Sequence, residues 1–303
     1  MNADALLFHM LKGGVGKRCR DEMGASIAKA LHRSTPTLYA DEGKTVELLR
    51  ATGFADIQPV FTPEQIQNIH KYFSDKPLIY YNVSPPQDGS LTRSGHRFAS
   101  WPQEVISACP EYAEAAHDPR LLRIAEAYLG APPLITILTS WWTYPSNEPP
   151  GGMQRFHHDR DDFRTLKQFV YLTDVTEDTG PHQYVDCSHE SYAIDANTPP
   201  GHDQEIRMFW KWLDASHRKS TEDVSKWFEY RTIIGPAGSS FFEDTRGLHR
   251  GVPPKTGPRL AFEICFTLLP KYNAHYQPIP WPTSCEASRL FYGRRDGFPY
   301  KQI

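Results

Sequence analysis

The 303-residue sequence has no C-x-x-C pair among its five cysteines, Cys19, Cys109, Cys187, Cys265 and Cys285. Their wide spacing suggests neither a zinc knuckle nor a disulfide framework, and they read as thiols of a reducing compartment. A basic block is missing too. Lysine and arginine total 33 against 36 acids, a formal charge of −3, with no stripe that could neutralise a run of phosphates, so nucleic acid is not the expected partner. No apolar run approaches a membrane span, and the short patch between His9 and Lys12 lacks a signal-peptide layout. These absences point to a cytoplasmic protein with no membrane or nucleic-acid partner; a homo-oligomer stays open. What is present is 39% hydrophobic, 23% charged and 13% aromatic residues, a globular composition with enough apolar surface for one large domain.

A further absence decides how to read Lys12-Gly13-Gly14-Val15-Gly16-Lys17. Phosphate loops need glycines that bare backbone N–H groups, a lysine, and then a Ser or Thr that ligates magnesium. Here Arg18 follows Lys17, so the hydroxyl is missing, and no alternating β/α series surrounds the string although 5–11 could be a strand and 21–33 a helix. A nucleotide-binding protein is the weakest alternative. The string reads instead as a flexible, positively charged turn in an N-terminal extension.

Helical signals crowd the first third. Thr62-Pro63-Glu64-Gln65 supplies an N-cap, an N1 proline and an N3 glutamine ahead of an amphipathic run, and Asp118-Pro119 opens another that Gly130 should stop. From about residue 133 the texture turns to β-rich runs, PLITILTSWWTY, LKQFVYLTDV, RTIIGPAGSSFF and RLAFEICFTLL, separated by Pro/Gly turns. Between about 190 and 230 a polar stretch with Trp210, Trp212, Arg218 and Trp227 reads as a helical insertion, either a lid or a set of helices anchored to the barrel by their tryptophans. The chain therefore divides into an extension, 1–56, packed on a mainly β domain, 57–303.

The chemistry concentrates at His157-His158-Asp159 and, ninety residues on, at His249 and Arg259. Strand side chains alternate, so His157 and Asp159 share a face and His158 points away. Two imidazoles and a carboxylate on one face of an octahedral metal leave open positions, as in the facial triads of non-haem Fe(II) oxygenases, and His249 is the natural third ligand. Arg259, ten positions later across VPPKTGP, would return on the neighbouring strand of a hairpin and hold a carboxylate in a bidentate pair. Such a guanidinium calls for an acidic cosubstrate.

The ordered set of the entry helix DIQPVFTPEQIQNIHKYF, FHHD, FVYLTDVTEDTGPHQYVDCSHE and GLHRGVPPKTGPRLAFEI, over roughly 57–269, resembles the phytanoyl-CoA dioxygenase family of Fe(II)/2-oxoglutarate oxygenases. The resemblance implies a double-stranded β-helix (jelly-roll, cupin-like) core flanked by helices. It implies His157, Asp159 and His249 as catalytic iron ligands and Arg259 as the partner of the distal carboxylate of 2-oxoglutarate. Dioxygen would be the second cosubstrate and succinate and carbon dioxide would be released. The expected reaction is hydroxylation of an unactivated C–H bond in a secondary metabolite, an amino-acid derivative or an acyl or carrier-linked molecule, with desaturation or cyclisation open. A metal-binding β-helix protein without oxygenase activity, a sensor or another metalloenzyme, is the alternative. Retention of Asp159, where related halogenases have a small residue, favours oxygenation.

Gln154 and Thr139 are candidates for hydrogen bonds to the cosubstrate, beside the plainer reading of strand-surface polar residues. His182 and His189 read as supporting histidines rather than ligands. Trp142 and Tyr144 share a face that is either cavity or core, and Asp161 and Asp162 beside Arg160 read as a solvated rim. Two positions depart from the family: Asp186-Cys187 where Pro-Gly is frequent, and Arg250 where a small residue is common.

Overall fold

The computed structural model describes residues 16–80, 98–146, 149–191, 218–219, 221–269, 276–279 and 291–294, together with positions 10, 201, 204 and 208. Residues 12–15 of the glycine-rich string, Trp210, Trp212 and most of the 190–230 insertion lie outside the described residues. Among those described, no helix is long and apolar enough to cross a membrane.

Helices α1 (Lys17–Leu31), α2 (Ala40–Thr52) and α3 (Pro63–Phe73) come first, interrupted by strand β1 (Phe54–Ile57). The cap signals work as their spacing requires. The Thr62 hydroxyl accepts the Gln65 N–H at 3.2 Å while the Gln65 side-chain Oε1 accepts the Thr62 N–H at 2.9 Å, and α3 then buries Ile66, Ile69 and Phe73. After β2 (Ile79–Tyr80) and β3 (Phe98–Ser100) come α4 (Gln103–Ser107), α5 (Pro110–Ala116) and α6 (Pro119–Leu129). Asp118 caps α6 by accepting the Arg120 N–H, and Gly130, at φ 85°, ends it in the left-handed conformation that glycine adopts without a Cβ penalty.

The β-rich runs become β4 (Leu134–Thr143), β5 (Phe156–His157), β6 (Thr165–Tyr171), β7 (His182–Tyr184), β8 (Arg218–Lys219), then helix α7 (Thr221–Ser225), β9 (Arg231–Ile233), β10 (Ser240–Glu243), β11 (His249–Gly251) and β12 (Arg259–Thr267), with β13 (Tyr276–Ile279) and β14 (Phe291–Arg294) at the end. They form two sheets. The larger runs β1-β10-β6-β12-β4-β14-β13, with β3 also on β4 and β2 on β3; the smaller runs β8-β5-β11-β7-β9. All pairings are antiparallel except β14 with β4. From β4 to β7 and again from β9 to β12 successive strands alternate between the sheets, with β7, β8 and β9 all in the smaller one, the winding of a double-stranded β-helix with an insertion.

Register separates the two faces of the larger sheet. Leu260, Phe262, Ile264 and Phe266 of β12, with Leu138, Val170 and Phe242, join Leu49, Ile69, Leu121 and Ile124 of the helices in the main core. Phe262 stacks on Tyr112 at 4.1 Å, and burial of each such ring is worth roughly 2–3 kcal/mol. The other face, towards the smaller sheet, carries Phe54, Phe169, Tyr171 and Phe241 with Trp141. Trp142 belongs to the helix side, where it stacks with Tyr144 at 6.2 Å, so the face these two share is core and not cavity. Trp227 packs on the outer side of the smaller sheet against Phe156, Val185 and Leu248, an anchoring position.

Both family departures have local compensations. Arg250 points to that same outer side, its guanidinium 4.7 Å from the Phe156 ring and its Nε donating to Gln183 Oε1. Asp186 accepts two hydrogen bonds from Arg231, which lies over Phe54. Cys187 is the one non-glycine residue with positive φ among those described, at 62°. Its N–H donates to the Thr52 carbonyl at 2.8 Å, which holds the strained conformation in place. Cys187→Gly should raise stability by about 1 kcal/mol, seen as a higher urea midpoint with an unchanged slope.

Candidate metal centre

Strands β5 and β11 are hydrogen-bonded neighbours in which His157 and His249 sit directly opposite one another, so their rings meet with centroids 4.3 Å apart. Each ring is oriented by its own backbone. His157 Nδ1 donates to the Arg155 carbonyl at 2.8 Å and His249 Nδ1 donates to the Gly247 carbonyl at 3.0 Å, which presents both Nε2 atoms to one point. Asp159 follows β5, its N–H donating to the Thr245 carbonyl at 2.7 Å. Its Oδ1 lies 3.6 Å from His157 Nε2 and its Oδ2 3.6 Å from His249 Nε2. An octahedral metal about 2.1 Å from three donors at right angles would space them roughly 3 Å apart, a small contraction of this arrangement. Among the described residues these three form the group able to hold a metal ion, their ligand atoms within 4.8 Å of one another.

The carboxylate does not stand alone. Lys167, on the inner face of β6, places Nζ 2.8 Å from Asp159 Oδ2, 3.1 Å from Glu263 Oε1 and 3.2 Å from Asp161 Oδ2. Burial opposes ionisation of Asp159, but Lys167 and then the two histidines outweigh it and hold the carboxyl well below its usual range. Burial opposes the charge of Lys167 as well, and Asp159, Glu263 and Asp161 together push its ammonium well above the ordinary value. His249 is raised because Asp159 more than offsets the effect of burial.

Arg259 reaches the same interior by another route than a hairpin. Strand β11 lies in the smaller sheet and β12 in the larger, so VPPKTGP crosses between sheets, held by the Val252 N–H to the Pro181 carbonyl and the Lys255 N–H to the Asp178 carbonyl. Gly251 lets the guanidinium pass, since a Cβ there would stand 3.1 Å from Arg259 Nη2. Nη1 donates to the Gly180 carbonyl and Nη2 to Thr143 Oγ1. The group is buried, and no carboxylate among the described residues pairs with it. Burial accordingly lowers its pKa, with only the Tyr171 hydroxyl acting the other way. A buried cation without a counter-charge is costly, and a carboxylate ligand would relieve that cost.

Thr139 is not at Arg259. Thr139 is on the inner face opposite Glu263, and Thr143, one turn of the alternation beyond Trp141, is the threonine that meets the guanidinium. Gln154 is buried in the short 3-10 turn Gly152–Gln154, which packs against β11, and its Oε1 accepts the Gly151 N–H. His158 is buried and accepts from Arg160 Nη2 at 3.3 Å. His182 stacks nearly parallel on His249, with centroids 5.6 Å apart, and its Nε2 lies 2.8 Å from Glu243 Oε2. His189 is buried away from the ligands, and burial lowers its pKa.

The solvated rim is overturned. Arg160 and Asp162 are buried, and Asp161 is bound to Lys167. Asp162 accepts the N–H groups of Phe163, Leu268 and Leu269, and burial pushes its carboxyl up to about 7. The run Arg160-Asp161-Asp162 serves the interior because the chain turns inward there between the sheets. Asp162→Ala would strand those donors and should cost about 2–3 kcal/mol in a denaturant titration.

Lys167, Glu263, Glu243 and Thr143 escaped sequence reasoning. For the three charged residues a signal was present: a lysine or glutamate inside a mostly apolar run, as in LKQFVY, LAFEICF and SFFE, costs too much to be there without a partner.

Two facing, mainly antiparallel sheets with a two-histidine, one-carboxylate group between them define a jelly-roll protein with a candidate facial metal site. The chain belongs to the phytanoyl-CoA dioxygenase (PhyH) family, whose pattern matches residues 49–256. No curated protein matches it in sequence. Among solved structures it is similar to SnoN, a non-haem alpha-ketoglutarate-dependent epimerase from nogalamycin biosynthesis, at 15% identity and a TM-score of 0.56, covering 84% of this chain and 99% of that one. It is also similar to HygX from Streptomyces hygroscopicus, solved with nickel and 2-oxoglutarate, at 17% identity and a TM-score of 0.51, covering 86% and 98%. At such identities the likeness is one of fold.

Proposed function

We propose that the protein is a non-haem Fe(II)/2-oxoglutarate-dependent dioxygenase that hydroxylates an unactivated C–H bond of a small molecule with release of succinate and carbon dioxide. The observation that carries this reading is a pair of complementary features on one interior: a buried ligand group of His157, Asp159 and His249, and the buried Arg259 guanidinium with no carboxylate partner among the described residues. The donor set of two imidazoles and one carboxylate fits Fe(II). When bound, iron and cosubstrate supply the oxidising chemistry.

The protein's own part is to bind and orient. His157, Asp159 and His249 would hold the metal and leave it able to take 2-oxoglutarate and dioxygen. Arg259, with Thr143 beside it, would pair with the distal carboxylate of 2-oxoglutarate. Lys167 holds one oxygen of Asp159 and so restricts how that carboxylate can turn. Trp141, Phe169 and Phe241 form an apolar wall that limits water. Thr139, partly exposed on the inner face, and Gln154, packed beside β11, are proposed to contact cosubstrate or substrate. SnoN has been crystallised with Fe3+, alpha-ketoglutarate and nogalamycin RO, and HygX with nickel, 2-oxoglutarate and hygromycin B, which supports a substrate of natural-product size. A cytoplasmic setting is part of the proposal; among the described residues Cys19, Cys109, Cys187 and Cys265 form no disulfide.

An anaerobic titration with Fe(II) and 2-oxoglutarate should produce a visible charge-transfer band, and its absence would overturn the reading. Screening metabolites for stimulated succinate release then identifies the substrate. A product heavier by one oxygen atom marks hydroxylation, whereas an unchanged mass or loss of two hydrogens marks epimerisation, cyclisation or desaturation.

A further inference from the structure

The last residue of the glycine-rich string, Lys17, is not in an exposed turn. It is buried at the start of α1, donates from Nζ to the His189 carbonyl, and lies 3.7 Å from Asp21 Oδ1. Asp21 Oδ2 accepts both the N–H and the hydroxyl of Ser191 at 2.8 Å. Asp21 Oδ1 also meets Arg246 Nη1 at 3.3 Å. Arg246 is buried too, bonded through Nε to Asp244 at 3.0 Å, through Nη1 to the Phe163 carbonyl at 3.2 Å and through Nη2 to Glu190 at 3.2 Å. The helix is seated closely at the same place, because a Cβ on Gly24 would stand 2.8 Å from the Phe163 carbonyl oxygen.

Arg246 occupies a telling position in the chain. The carbonyl before it, Thr245, accepts the N–H of Asp159, and the carbonyl after it, Gly247, accepts Nδ1–H of His249. One short turn, 244–247, therefore orients two of the three ligands. Its inner side is closed by the Gly247 N–H to the Asp244 carbonyl and by the Tyr184 hydroxyl on that same carbonyl. Its outer side is held by the ion network that begins on α1.

We propose that α1 is a working part of the metal centre: Asp21, itself held by Lys17, holds Arg246, and Arg246 holds the turn whose carbonyls orient Asp159 and His249. Helix α1 lies wholly outside the family match at 49–256, so this is a device of this chain's own N-terminal segment. These are positioning residues, since none of them reaches the ligand point itself. Loss of a partner that orients a ligand weakens metal binding roughly tenfold or more.

The proposal rests on the metal reading above, and its test separates the two. Co(II) is titrated into the metal-free full chain and followed by its d–d absorption, at a temperature where circular dichroism shows every variant folded. Asp21→Asn and Lys17→Met are each expected to weaken Co(II) binding roughly tenfold and to shift the band, which a loss of fold stability alone would leave in place. Glu22→Gln, on the exposed side of the same helix, is expected to bind as wild type does. Wild-type affinity and spectrum in both Asp21→Asn and Lys17→Met would overturn the proposal. Should those two fail to fold, Ser191→Ala, which removes one donor to Asp21, is read in the same way: weakened binding supports the proposal and unchanged binding overturns it. Wild-type binding by Asp159→Ala would instead sink the metal reading itself.

Discussion

Arg259→Met is expected to raise the KM for 2-oxoglutarate on the order of a hundredfold, about 3 kcal/mol, while the folded protein keeps or gains stability. The two halves of this result come from one fact. The guanidinium is buried, and no carboxylate among the described residues answers it, so in the unliganded protein its desolvation goes largely uncompensated. Methionine fills much of the same space without that cost. The bound cosubstrate loses its bidentate partner, and steady-state kinetics with varied 2-oxoglutarate should place the effect in KM more than in kcat. A large drop in melting temperature together with an unchanged KM would assign Arg259 to the fold instead.

Asp159→Ala should bring 2-oxoglutarate turnover to background and weaken metal binding by at least roughly a hundredfold. One donor disappears, and Lys167, buried 2.8 Å from the lost oxygen, becomes a less balanced positive charge next to the metal position. The cost should therefore appear in stability as well as in activity. Adding Lys167→Met to Asp159→Ala is expected to recover part of the stability and none of the turnover, a non-additivity that chemical denaturation and succinate assays measure separately. If the double variant were no more stable than Asp159→Ala, the ion pair would not be carrying the effect.

The ligand residues were legible because their signal is local. The alternation of an extended chain puts His157 and Asp159 on one face, and although β5 ends at His157, Asp159 just past it does meet both histidines. The helix starts at Thr62 and Asp118 were legible for the same reason, as caps act within four residues. Arg259 was found from its offset to His249, yet the imagined hairpin was wrong: ten residues can either turn back in one sheet or cross to another, and periodicity does not distinguish the two. Asp161 and Asp162 were misread because charge beside charge usually means water, whereas here Lys167 and three backbone N–H groups receive them.

Residue spacing and type sufficed for a β core behind a helical front, for singling out His157, Asp159 and His249 as the proposed ligand set, and for Arg259 as the proposed partner of an acid. Long-range packing alone assigned Lys167 to Asp159, Thr143 to Arg259, Trp142 to the core, and Lys17 to a buried ion network. The reason is physical. Alternation and capping are settled within a few residues of chain, but the partner of a buried charge is whatever the winding of two sheets brings within about 3 Å of it, and Asp21 and Arg246 stand 225 positions apart.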